Sequence, residues 1–165
     1  MQNTYKRPIR KFEPWPHYEE YFGDFMEYVR RENPKLFLLL GKPEKFYVRF
    51  FDPPGGGIFF SAAVLPLTGC IGVNASFRPA TREAFNEAYR RVEQMEYCGW
   101  PLQLEWRPIP ADRSFHQVEM RCRADLNNRD LWTEQHRWLA RHLWELFQTV
   151  GRGWDPIGQA PKTDA

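Results

Sequence analysis

Cysteine is scarce and scattered in this chain. Cys70, Cys98 and Cys122 are widely spaced and form no CxxC pair. Neither a disulfide framework nor a zinc knuckle is therefore indicated, and the expectation is reduced, structural thiols in a cytoplasmic protein. Long hydrophobic runs are missing too. The longest, Leu36 to Leu40 and Ile58 to Leu65, are far too short for a membrane span, and Met1 to Lys11 has no apolar h-region, so neither export nor insertion is expected. There is no excess of one charge. Lys+Arg of 23 against Asp+Glu of 21 gives +2, too even to imply nucleic-acid binding from net charge. Lysine itself is scarce, with 6 against 17 arginines, which puts the weight on the side chain that forks onto carboxylates or phosphates and stacks on rings. Internal repeats and low-complexity segments are absent. No GxSxG nucleophile motif occurs, and Gly55-Gly56-Gly57 lacks the Lys-Ser/Thr of a P-loop, so it reads as turn flexibility. No cofactor and no metal are expected.

What remains is an ordinary globular composition. At 165 residues, with 42% hydrophobic and 27% charged, the chain suits one folded domain. Aromatics reach 16%, a heavy load for this length, which implies that some of them serve a partner. The organisation reads as a basic flexible tail over 1–11 (Lys6, Arg7, Arg10, Lys11), one domain over 12–151, and a flexible C-terminal tail over 152–165.

Periodicity supplies the elements. Tyr18, Phe22, Phe25 and Val29 share one helical face between Trp15 and Arg31, and Asn33-Pro34 ends that helix. Phe46 to Phe51, Ile58 to Leu65 and Cys70 to Phe77 read as three strands, divided by a Pro/Gly-rich insert and by Pro66 to Gly69. A second helix is expected over about 80–98, then strands at Leu102 to Trp106 and His116 to Cys122. A last helix runs from an Asn127 or Asn128 N-cap to Gly151, with Trp132, Leu139, Leu143, Leu146 and Val150 on one face. The order α-β-β-β-α-β-β-α implies an α+β domain on a mostly antiparallel sheet.

Phe85 through Val92-Glu93, Leu104-Glu105-Trp106, Asp125-Leu126-Asn127 and the segment from Trp132 to Leu139 resemble domain-of-unknown-function family 4268. That is a bacterial and archaeal family found alone or attached to nuclease-like regions of restriction and phage-defence proteins. The resemblance spans roughly residues 15 to 151 and implies a defence setting without a known activity. The first six elements also follow the core order of the PD-(D/E)XK nucleases, whose acids and lysine sit on the second and third strands. Here those strands carry neither, so the resemblance implies a degenerate core whose metal site has been lost.

The nearest substitute for a metal site is Asp112 with Glu119 and Glu105, the set a divergent Mg²⁺-dependent nuclease would use. Its plainer reading is a loop Asp capping its own backbone beside a solvated strand face. His136 and His142, six apart, point to different faces. Two surface patterns are more informative. Arg137, Arg141, Trp144 and Gln148 form a stripe opposite Leu139, Leu143 and Leu146, read either as a binding surface or as a packed face with Glu134 and Glu145 neutralising the arginines. Glu20, Asp24 and Glu27 form an acidic row on the first helix, either a solvated face or a surface for a basic partner. The functional expectation is a non-catalytic recognition domain contacting a protein partner within a nucleic-acid-processing or phage-defence system. A divergent nuclease and a direct nucleic-acid-binding module using the basic tail and the arginine stripe are the alternatives, and self-association is a further possibility for the stripe.

Overall fold

The computed structural model describes residues 15–50, 58–77, 90, 104–107 and 116–150. Both tails and most of the expected 80–98 helix lie outside this set, Arg90 being its one described residue.

Helix α1 (Tyr18–Glu32) forms where the periodicity placed it, burying Tyr21, Phe22, Phe25 and Val29. Glu19 and Glu20 in its first turn and Arg30 and Arg31 in its last complement the helix dipole. Asn33 ends α1 and also starts a helix that the sequence reading lacks, α2 (Pro34–Leu39). The Asn33 side-chain oxygen accepts a hydrogen bond from the Leu36 amide at 3.0 Å, and Pro34 occupies the first turn, where its missing N–H costs nothing. The gain is burial of Leu36 and Leu39.

Five strands follow: β1 (Tyr47–Arg49), β2 (Ile58–Leu65), β3 (Cys70–Phe77), β4 (Leu104–Arg107) and β5 (His116–Arg123). They form one sheet in the order β1-β2-β3-β5-β4 with every neighbouring pair antiparallel. The β2–β3 turn closes through Gly69, whose φ of 61° is a conformation other residues adopt only with strain.

Side chains alternate across the sheet. Val48, Phe60, Ala62, Val64, Ile71, Val73, Ala75, Val118 and Met120 are buried on the helix side. Against them lies the long helix α3 (Trp132–Val150), burying Leu139, Ala140, Leu143 and Leu146, with the Phe147 ring 5.3 Å from Phe50 and 5.5 Å from Phe60. A 3₁₀ turn, Arg129–Leu131, leads into α3, and the Asn128 side chain accepts from the Asp130 amide at 3.2 Å. Trp132 is anchored by its indole N–H, which donates to the Leu126 carbonyl at 2.9 Å. The described elements thus make an α+β arrangement with helices layered on one face of an antiparallel sheet.

Candidate functional site

Where α1 meets the start of α3, an aromatic cluster fills the junction. Tyr21 stands edge-on to Trp15, Trp132 and His136, at 5.5, 5.1 and 4.6 Å between ring centres. His136 is only 3% exposed, and burial among these rings lowers its pKa to about 4, so the imidazole is neutral. A hydrogen bond to the Tyr21 backbone opposes that shift. The Nε2 of the ring is buried and has no partner among the described residues.

Above this floor runs a cleft of about 320 Å³, lined by Glu20, Asp24, Glu27 and Tyr28 of α1 and by Arg129, Trp132 and His136. The acidic row expected from sequence therefore forms one wall. Its three carboxylates differ. Glu20 is gripped by both terminal nitrogens of Arg129, one of them at 2.6 Å, and that guanidinium lies 5.3 Å from the Trp132 ring centre. Glu27 pairs with Arg30. Asp24, between them, has no partner among the described residues. The remaining cation at the cleft, Arg31, is held on Glu32 at 2.7 Å and lies over Tyr28. One unpaired carboxylate, Asp24, stands in this cleft beside rings already covered by Arg129 and Arg31, and it attracts a cation carrying N–H donors.

The arginine stripe is less available than its spacing implies. Arg137 and Gln148 are exposed, and Arg141 pairs with Glu145 at 3.1 Å, the neutralisation weighed above. Trp144 is half-buried, 5.6 Å from Phe147 and packed on the hydrophobic core. A hundred degrees per residue sets Trp144 off the Leu139 row, but the indole is long enough to lie back over the core.

On the sheet, Glu105 and Glu119 are register partners on β4 and β5. Glu119 is 5% exposed and its carboxylate is bound by Arg121 at 2.7 Å, and Asp112 lies outside the described residues. No group of three or more His, Cys, Asp or Glu able to hold a metal occurs among the described residues. Cys70 and Cys122 are free thiols, with Cys122 pushed up in pKa by burial, and Cys98 lies outside the described residues. No described helix is long and apolar enough to cross a membrane.

Sequence reasoning found the acidic row and missed its other wall. Arg129 is 109 residues from Glu20, and Trp132 and His136 read as core and as an isolated histidine. Only the tertiary pairing of α1 with α3 joins them. No family model, curated protein or solved structure matches the chain.

Proposed function

We propose that the chain is a non-catalytic recognition domain that takes a basic segment of a protein partner into the α1–α3 cleft. The observation that carries this reading is Asp24, left unpaired between two satisfied carboxylates on one wall of the cleft. Arg129 supports it from within the molecule, since its guanidinium already uses a carboxylate fork and a tryptophan face in the same cleft. The partner belongs, on this proposal, to a nucleic-acid-processing or phage-defence system, the setting implied by the family resemblance.

Calorimetric titration with a short peptide of alternating arginine and glycine tests the reading. Binding is expected for the unaltered chain and should weaken about tenfold in Asp24→Asn, the loss of one charge-assisted contact. Equal affinity in Asp24→Asn would overturn it. Mg²⁺-dependent cleavage of DNA or RNA that stopped on Glu119→Ala would overturn it in favour of the nuclease alternative.

A further inference from the structure

Arg129 already occupies part of the α1–α3 cleft. Both of its terminal nitrogens grip the Glu20 carboxylate, one of them at 2.6 Å, and its guanidinium lies 5.3 Å from the Trp132 ring centre. A fork onto a carboxylate beside an indole face is what a partner's arginine needs here. The chain fills that position with its own side chain. One helical turn further along α1, Asp24 lines the same cleft and has no ion pair among the described residues.

The grip is open to exchange. Arg129 and Glu20 keep 55% and 46% of their side-chain surface exposed, and ion pairs so well solvated add little to stability. The turn that carries Arg129 is held by other groups. Asn128 Oδ1 accepts from the Asp130 amide at 3.2 Å, the Leu131 amide donates to the Asn128 carbonyl at 3.1 Å, and the Trp132 indole donates to the Leu126 carbonyl at 2.9 Å. Beneath them, Tyr21 packs on Trp15, Trp132 and His136 and joins α1 to α3. The Arg129 side chain can therefore leave without the cleft coming apart. Other charges at the cleft are engaged, Glu27 by Arg30 and Arg31 by Glu32.

We infer that Arg129 is an internal competitor, and that the partner's segment carries two arginines, one for Asp24 and one that replaces Arg129 on Glu20. Spacing supports two. Glu20 and Asp24, four apart on α1, stand about 6 Å from each other, and alternate residues of an extended segment lie about 6.7 Å apart on one side. An Arg-x-Arg segment laid along α1 meets both carboxylates. Lysine fits less well, since a point charge cannot reproduce the fork. This inference rests on the cleft reading above and adds to it the spacing of the partner's cations and the residue that limits their affinity.

Calorimetric titration of the full chain with two otherwise uncharged peptides, one containing Arg-Gly-Arg and one Arg-Gly-Gly, is the test. In the unaltered chain the second arginine gains Glu20 only by evicting Arg129, so the two affinities should differ by about twofold. In Arg129→Gln the Glu20 carboxylate has no competitor, and the same arginine should gain about tenfold. A ratio no larger in Arg129→Gln than in the unaltered chain would overturn the inference and leave the cleft reading standing, whereas no binding of either peptide to either chain would overturn both. A second readout needs no variant. At saturation of the unaltered chain, the Nε–Hε resonance of Arg129 should move with Arg-Gly-Arg and stay in place with Arg-Gly-Gly. An unmoved resonance with both peptides bound contradicts displacement, even if Arg129→Gln lowers the melting temperature.

Discussion

His136 is neutral because burial withholds the solvation its charged form needs. Its folded-state pKa of about 4 lies below the ordinary 6.5, so between those values the unfolded chain takes up a proton that the folded chain refuses. The stability this contributes is present above pH 6.5 and is lost as pH falls toward 4, an effect of roughly 3 kcal/mol at one pKa unit per 1.4 kcal/mol. Urea denaturation at pH 7 and pH 4.5 should show a smaller difference for His136→Phe than for the unaltered chain. Equal pH dependence in the two would refute the burial argument. Trp144, half-buried on Phe147, should cost roughly 2 kcal/mol on truncation to alanine, about half of a core tryptophan. A change within 0.5 kcal/mol, the range of a free surface residue, would restore the reading of Trp144 as part of a binding surface. At this scale the sequence showed residue types and local faces. It could not show that Glu20 meets Arg129, because no local rule connects positions so far apart.

Helices and strands were more legible than contacts, since periods of 3.6 and 2 are written locally. Strands β2 and β3 emerge from hydrophobic runs bounded by Pro and Gly, with the ends the structure gives them. Helix α2 was hidden by an ambiguity. Asn-Pro after an amphipathic stretch signals a stop, and the same pair supplies the N-cap and first turn of a new helix. Removing that cap tests the assignment: Asn33→Ala should destabilise by about 1 kcal/mol in denaturant melts, while Asn33→Asp should retain most of the stability. Gly23 makes the converse point on α1. A Cβ there meets nothing within 4 Å, so Gly23→Ala should raise stability by about 0.5 to 1 kcal/mol through the lower helical cost of alanine. A fall in stability would mean that the position is more crowded than its surroundings indicate.

At the scale of the molecule, the meeting of α1 with α3 builds a cleft with Glu20, Asp24 and Glu27 on one wall and Arg129, Trp132 and His136 on the other. The α+β order was readable from the sequence because element types follow from periodicity, whereas the pairing of β3 with β5 and the meeting of α1 with α3 required the tertiary structure. The central claim is that the α1–α3 cleft accepts a basic side chain at Asp24. Its most direct measurement is a nuclear magnetic resonance titration of the ¹⁵N-labelled chain with the arginine–glycine peptide. The account expects the Asp24 amide, the Trp132 indole and the Nε2 resonance of His136 to shift together and saturate. Shifts confined to other surfaces, with these three unmoved at saturation, would contradict it.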